Sequence, residues 1–188
     1  MTIREAARRI ATAALFPAAI SAAPLSQAQA TQAVEDRDMD IRLLVPGSWS
    51  WETKSNGPFI SCEPKRSEPT ACYLAVEMRK GAPKDGRITD SDRQKWKGWA
   101  SSGGMNRVVA ARDAKIAGYP AFETVSKADE MTIYRVFVLM DSPARLIDFT
   151  YLASWGRKDH YERYKPAIDA ALATLSPAGG SGKASRGK

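Results

Sequence analysis

The sequence has 188 residues, a net charge of +7, one histidine and two cysteines. A chain of this length is expected to form one domain, and one histidine with two cysteines cannot complete the four-ligand tetrahedral set of a structural zinc site. The two chain ends carry most of the positive charge, which leaves about +2 on the folded part and gives no indication of nucleic-acid binding.

The first thirty residues predict a cleavable export signal. Three arginines, Arg4, Arg8 and Arg9, precede an apolar run over residues 10–23, and an Ala-Gln-Ala motif ends at Ala30, after which we expect cleavage. A bilayer span needs roughly twenty apolar residues, so no membrane span is expected. We therefore expect a periplasmic or secreted protein. The alternative is an alanine-rich amphipathic helix that only resembles a leader.

Composition divides the remaining chain into three parts. Residues 31–40 are expected to form a solvated linker, residues 41–176 a single α+β domain, and residues 177–188 a disordered basic tail rich in glycine and serine. The linker acids are Glu35, Asp36, Asp38 and Asp40. The three aspartates alternate as hard-metal ligands do, but the glycine and distal glutamate of a calcium loop are missing, so no metal is expected.

Short strands are predicted in the first half of the domain. They cover residues 41–45, 49–53, 59–62 and 72–80. Since export exposes the chain to an oxidising compartment, we expect Cys62 and Cys72 to form a disulfide that fixes the polar loop between two strands. The alternative is a reactive or metal-binding thiol pair.

A helix and an antiparallel hairpin series are predicted next. Thr89 caps a helix that continues to about Ser102, and Gly103-Gly104 ends it rather than forming a phosphate-binding loop. Four strands then cover residues 107–116, 121–127, 131–140 and 145–154, joined by short turns that make neighbours antiparallel. A closing helix with an apolar stripe from Tyr161 to Leu175 follows, with Pro166 near its first turn or at a bend.

The order of these elements resembles a known group of folds. The segments LLVPGSWSW, AGYPAF, LIDFTYLAS and ATLSP, with a central helix between the first two, are similar to the PsbP-like and DcrB-like proteins over residues 41–176. This resemblance implies an α+β sandwich, with a central antiparallel sheet flanked by two main helices. It also implies a non-enzymatic accessory or binding role, because members act as assembly factors, envelope proteins and chaperone-like partners. It supplies no catalytic residues.

Few residues suggest catalysis. His160 is the sole histidine, Ser154 is the serine nearest to it in sequence, and no G-x-S-x-G motif occurs. Glu123 and Asp148 form a possible carboxylate pair on neighbouring strands, although ordinary surface acids are the expected interpretation. We expect no catalytic residues, no metal and no cofactor.

The strongest binding candidate is a basic surface between Arg79 and Lys97. Its cations are Arg79, Lys80, Lys84, Arg87, Arg93, Lys95 and Lys97, interleaved with Trp96 and Trp99. One interpretation is a docking surface for an acidic protein or an anionic envelope polymer. The alternative places both tryptophans against the sheet, with the cations on a solvated helix face.

Trp49 and Trp51 raise the same question of core against surface, and core packing is expected for both. Two function classes follow from the sequence. The first is an exported non-enzymatic protein that binds an envelope or secreted protein, as an accessory factor or as an inhibitor of a secreted toxin. The second is a small envelope hydrolase acting on a cell-wall or other extracytoplasmic substrate.

Overall fold

Seven antiparallel strands form the central sheet of this protein. The computed structural model describes residues 30–62, 73–83, 85–128, 131–140, 144–152 and 159–179. In spatial order the strands are β3-β4-β5-β9-β8-β7-β6. Their bounds are β3 Ser50–Lys54, β4 Gly57–Ser61, β5 Tyr73–Arg79, β6 Arg107–Ile116, β7 Tyr119–Ala128, β8 Met131–Met140 and β9 Arg145–Leu152.

Two helices and a hairpin cover the two faces of this sheet. Helix α2, Asp159–Leu172, and a separate antiparallel hairpin of β1, Thr31–Asp36, and β2, Ile41–Pro46, pack on one face. Helix α1, Asp90–Ala100, packs on the other face, against β6 and β7. The predicted α+β architecture, a central antiparallel sheet with two main flanking helices, is confirmed.

Strand β8 shows why the sheet needs cover on both sides. Tyr134, Val136 and Val138 point to the α2 face and are at most 2% exposed, while Phe137 and Leu139 point to the α1 face and are at most 1% exposed. Successive side chains of a strand alternate between faces, so a run that is apolar at every position is stable only inside a covered sheet.

Helix α1 begins at a capping box. The Thr89 hydroxyl accepts the Asp92 backbone N–H at 3.2 Å, and the Asp92 carboxylate accepts the Thr89 N–H at 2.9 Å. These two bonds satisfy backbone donors that have no partner within the helix. The predicted cap is correct, but the helix ends at Ala100, before the expected glycine stop. Ser101 is its C-cap, Ser102 has φ +47°, and Gly103-Gly104 belong to a 3-10 turn over Ser102–Gly104.

Residues 31–40 are not the solvated linker expected from their acids. Residues 31–36 form β1, which pairs along its whole length with β2. Val34 is 1% exposed and Met39 is 5% exposed, so this segment contributes apolar area to the core on the α2 face. Its acids lie outside that core, where Glu35 pairs with Arg42 at 3.1 Å.

The last helix also differs in detail from the sequence-based expectation. Of the two alternatives for Pro166, a position near the first turn is wrong, because Pro166 lies in the middle of α2, where it is exposed; the bend stays a prediction. The stripe was correctly predicted, since Ile168 and Leu172 are fully buried and Tyr164 packs edge-on against Trp49. The first residues of the predicted tail are held in place, because the Ala178 N–H donates to the Asp40 carboxylate at 3.0 Å.

Within the described residues, no helix combines the length and the apolar character needed to cross a membrane.

Candidate functional site

A cleft of about 410 Å³ opens on the α1 face of the sheet. It exists because α1 packs on β6 and β7 and leaves the neighbouring part of the same face, over β8, β9, β5 and β4, without a covering helix. Alternate side chains of those strands point to this face, and those that α1 does not cover line the cleft. Its aromatic, aliphatic and charged lining includes Phe59, Tyr73, Glu77, Arg79, Ile133, Arg135, Thr150 and Leu152.

The charged floor of the cleft is organised by Asp148, which is 1% exposed. Arg135 donates to it twice, from Nε to Oδ1 at 3.0 Å and from Nη2 to Oδ2 at 2.7 Å. Arg79 Nε donates to the same Oδ2 at 2.8 Å, and the Thr150 hydroxyl contacts Oδ1 at 3.3 Å. A buried carboxylate is tolerated only with such partners, and here one carboxylate holds two guanidinium groups beside each other.

The arginine side chains differ in how far they reach the cleft surface. The Arg135 side chain is 11% exposed and also donates from Nη1 to the Trp99 carbonyl at 2.8 Å, which ties β8 to the end of α1. The Arg79 side chain is 34% exposed, and its Nη2 lies 2.7 Å from Glu77, an equally exposed carboxylate two residues earlier on the same strand. Arg79 is therefore fixed at its Nε but presents its outer N–H groups to the cleft.

An apolar wall stands beside this charged floor. The rings of Phe59 and Tyr73 are in contact with a centroid separation of 4.4 Å, and the Lys54 ammonium lies 3.9 Å from the Phe59 ring centroid. Ile133 and Leu152 continue the wall. Burial raises the pKa of the Tyr73 phenol, so the phenol stays neutral.

The turn between β3 and β4 forms the lip of the cleft and separates it from a second cavity of about 440 Å³. Both cavities are lined by this turn, by Glu77 and by Arg79; the turn residues are Lys54, Ser55, Asn56 and Gly57. Gly57 has φ +128°, and a Cβ there would lie 2.0 Å from Met39 Cε and 2.4 Å from the Val76 carbonyl oxygen. The lip is thus held tightly onto the core.

The structure divides the predicted basic surface. Trp96 is fully buried and stacks on Phe137 with a centroid separation of 5.3 Å, so a role as a surface anchor is excluded for Trp96. Trp99 is half-buried against Phe137, with Arg79 and Lys95 over its ring at 5.6 Å and 4.8 Å. The alternative, in which these tryptophans pack against the sheet, therefore holds for Trp96, while Trp99 borders the cleft beside Arg79.

The remaining cations of that surface fall into two groups. Arg93 is neutralised by Asp90 and by two hydrogen bonds to Asp113 on β6, so it contributes to the attachment of α1. Among the described residues, no carboxylate lies within 4.0 Å of the other four cations, which are Lys80, Arg87, Lys95 and Lys97. Lys84 lies outside the described residues.

Core packing, which was expected for both Trp49 and Trp51, is confirmed for Trp49 and wrong for Trp51. Trp49 precedes β3 and is 6% exposed in the core, whereas Trp51 lies within this edge strand and is 37% exposed. Trp51 is opposite Ile60, a residue of the core on the α2 face, so its exposure follows from the position of β3 at the edge of the sheet.

Glu123 and Asp148 do not form a catalytic pair. They lie on β7 and β9, which are separated by β8, and they point to opposite faces, since Glu123 is opposite Val136 while Asp148 is opposite Phe137. The expectation that they are ordinary surface acids is also wrong, because both are buried. Glu123 accepts from Arg112 Nε at 2.6 Å and from the Tyr134 hydroxyl at 2.9 Å.

The other chemically suggestive residues contribute little to a site in the described part of the chain. No group of three or more histidine, cysteine, aspartate or glutamate side chains is placed to hold a metal there. Cys62 is buried at the end of β4, while Cys72 and Ser154 lie outside the described residues, so the disulfide stays a prediction. His160 lies in the first turn of α2, but its side chain is outside the description.

Several cleft residues were missed in the sequence, although Arg79 was part of the predicted basic surface. Tyr73, Glu77 and Arg79 alternate along β5, which places them on one face, and this period was visible in the sequence. Arg135 was the stronger signal, because an arginine inside a strand that is otherwise apolar on both faces requires a buried acidic partner.

Neither a protein-family model nor a curated protein sequence matches this chain. Solved structures do match. Cyanobacterial PsbP (CyanoP) from Synechocystis sp. PCC 6803 is 11% identical, with a TM-score of 0.55 over 84% of this chain and 98% of that one. LpqN, involved in cell envelope biogenesis of Mycobacterium tuberculosis, is 12% identical, with a TM-score of 0.53 over 78% and 90%.

A third similar structure is the Ran-binding protein Mog1p of Saccharomyces cerevisiae, 7% identical, with a TM-score of 0.50 over 80% of this chain and 96% of that one. These likenesses show that the chain has a PsbP-like fold, as the sequence resemblance implied. At such low identity they carry no functional residue from one protein to another.

Proposed function

We propose that this chain is an exported, non-enzymatic accessory protein of the cell envelope that binds a partner protein in the cleft beside α1. The cleft is the observation that carries this proposal. It combines an apolar wall, fixed polar groups and a rigid sheet floor, which is the composition typical of binding sites.

The cleft chemistry supports binding over catalysis. Its buried carboxylate, Asp148, accepts hydrogen bonds from both Arg79 and Arg135, so its oxygens are occupied rather than free to take a proton or attack a substrate. The second buried carboxylate, Glu123, is on the opposite face of the sheet. These two placements remove the carboxylate mechanism considered for a hydrolase.

Export is supported by the leader pattern and by the position of the first strand. β1 begins at Thr31, the residue that would follow the cleavage site, so the released chain would begin with a strand of the fold. Among proteins of similar fold, LpqN is described as acting in envelope biogenesis and Mog1p as a Ran-binding protein. LpqN is thus a precedent for an envelope role of this fold, and Mog1p is a precedent for binding a partner protein.

Export can be tested on the full-length chain expressed in its native cell. Fractionation should place the protein outside the cytoplasm, and N-terminal sequencing should begin at Thr31. Thiol labelling before and after reduction should show that Cys62 and Cys72 are oxidised. An uncleaved chain in the cytoplasm with two reactive thiols would contradict the proposal.

Binding can be tested by site-specific photo-crosslinking in the same cells. A crosslinking amino acid at Asn56, on the exposed cleft lip, should trap one defined envelope protein. The same amino acid at Glu162, on the exposed surface of α2, serves as the control and should not trap it. Equal products from both positions, or none from Asn56, would contradict a partner protein in the cleft.

A further inference from the structure

We infer that the cleft recognises a protein segment in which an acidic side chain adjoins a large apolar side chain, and that Glu77 occupies the position of the acidic group when the cleft is empty. This inference rests on the proposed function, because it names the chemistry of the partner. The observations behind it are the shared carboxylate below the cleft, the ion pair at its surface and the apolar wall beside them.

The charged groups at the floor of the cleft do not balance. One buried carboxylate, Asp148, lies below two guanidinium groups, those of Arg79 and Arg135. It neutralises one of their two positive charges, and among the described residues the only other carboxylate at this group is that of Glu77. Lys95 adds positive charge at the border of the cleft, where Lys95 and Arg79 both contact the Trp99 ring, so the group stays net positive when Glu77 is counted. The field at the floor therefore favours an anionic group from a ligand.

Glu77 is held at the cleft by an ion pair that is open to water. Its carboxylate pairs with Arg79 at a position where both side chains are 34% exposed, and a pair so accessible to water contributes little to stability. A carboxylate from a ligand can replace it at the same guanidinium, since the Arg79 Nε remains anchored to Asp148. A planar guanidinium held in this way is suited to two parallel hydrogen bonds with a carboxylate.

The apolar wall beside the charged floor favours a peptide over other polyanions. The charged floor adjoins an apolar wall formed by Phe59, Tyr73, Ile133 and Leu152. A phosphate polymer has no apolar group to cover that wall, whereas a peptide places acidic and apolar side chains a few ångströms apart. The volume of about 410 Å³ accommodates side chains of this kind.

The test uses the mature chain, residues 31–188, and a randomised short-peptide library. Selection on the wild-type protein should enrich peptides with aspartate or glutamate next to an aromatic or long aliphatic residue, and the affinity of a selected peptide should fall as salt rises. Enrichment of basic peptides, or no enrichment at all, would overturn the inference.

Two substitutions with opposite effects locate the binding. Arg79→Gln should weaken binding of the selected peptide by about tenfold or more, because it removes the guanidinium that would donate two hydrogen bonds to the ligand carboxylate. Its control, Arg87→Gln, removes an exposed arginine elsewhere and should change the affinity little.

Glu77→Gln should strengthen binding by about threefold to tenfold, because it removes the competing carboxylate. Its control, Glu162→Gln, lies on α2. A gain of affinity cannot result from misfolding, so unchanged or weaker binding by Glu77→Gln would overturn the role of Glu77.

Inorganic polyphosphate serves as the competing probe. It should displace the selected peptide poorly, and displacement as effective as that by free peptide would overturn the assignment to a peptide and indicate a phosphate polymer. The outcome is distinguishable from failure of the proposed function. Absence of export or of a partner trapped at Asn56 would contradict that function, whereas the peptide selection depends on neither.

Discussion

Arg135 and Asp148 form a bidentate ion pair across β8 and β9, with both oxygens of the carboxylate engaged at 3.0 Å and 2.7 Å. The Asp148 side chain is 1% exposed and the Arg135 side chain is 11% exposed. The pair joins the centre of the sheet to the end of α1 through the Trp99 carbonyl, so the charged floor of the cleft is also part of the structural core.

Asp148→Asn should destabilise the protein, because it leaves Arg79 and Arg135 without their shared carboxylate. Removing one member of a buried ion pair typically costs about 3–5 kcal/mol. Because asparagine retains one oxygen acceptor, we expect the free energy of unfolding to fall by about 3 kcal/mol. The measurement is the free energy of unfolding from urea titration. Asp38→Asn, at an exposed position in the β1–β2 turn, is the control. A loss below about 1 kcal/mol for Asp148→Asn would contradict a structural role for the pair.

Gly57→Ala and Gly98→Ala should change stability in opposite directions. At Gly57 a methyl group would meet the Val76 backbone at 2.4 Å in a conformation with φ +128°, so we expect a loss of about 2 kcal/mol or more. At Gly98, on α1, nothing lies within 4 Å of the added carbon, and helix propensity predicts a gain of about 0.5–1 kcal/mol. The same urea titration checks both, and equal effects would contradict a tightly packed lip.

Local features of the sequence predicted much of the fold. The Gly118 turn, with φ +90°, and the doubly apolar pattern of β8 specify the hairpin series, and the Thr89 cap specifies the start of α1. β1 was missed because its acids resemble those of a solvated segment. Its stability depends on the contact of Val34 with a core built from distant residues, which no local pattern shows.

The cleft could not be assembled from the sequence, because its contacts join residues far apart in the chain. Arg79 and Asp148 are 69 positions apart, and Arg135 and the Trp99 carbonyl are 36 apart. The turns predicted β6 to β9 as successive neighbours, but no short turn joins β5 to β9, so their pairing depends on burial of both faces. The face to which each cleft residue points follows from that pairing.

Alkaline pH should destabilise the protein through tyrosines on the α2 face. Burial raises the pKa of Tyr161 from 10.0 to about 12, with the charges of Glu162 and Asp169 adding to the effect. Burial, then Glu123, also raises the pKa of Tyr134. Above pH 10 the unfolded chain loses these protons while the folded chain keeps them. The contribution of the tyrosines to the free energy of unfolding is therefore fully present below pH 10 and is lost as pH rises towards 12.

The measurement for this prediction is the free energy of unfolding between about pH 9 and about pH 11.5. Tyr161→Phe should make the decline shallower, because phenylalanine has no proton to lose. Tyr134→Phe should also make it shallower, but should lower stability at neutral pH through loss of the hydrogen bond to Glu123. A decline in Tyr161→Phe as steep as in the wild type would show that other groups control alkaline unfolding.

The capping box at Thr89 should stabilise α1 as a whole, including the carbonyls at its end that hold Arg135 and Ser126. Thr89→Ala removes the acceptor for the Asp92 N–H and should cost about 1 kcal/mol, which for a chain of this size lowers the unfolding midpoint by about 2–4 °C. α1 supplies the Trp99 carbonyl that holds Arg135 and the Ala100 carbonyl that accepts the Ser126 hydroxyl at 3.1 Å. Amide hydrogen exchange should therefore accelerate along α1 and not along β4 or β5. Thr89→Ser retains the hydroxyl and should restore both values, and equal losses in the serine and alanine variants would show that the hydroxyl is not responsible.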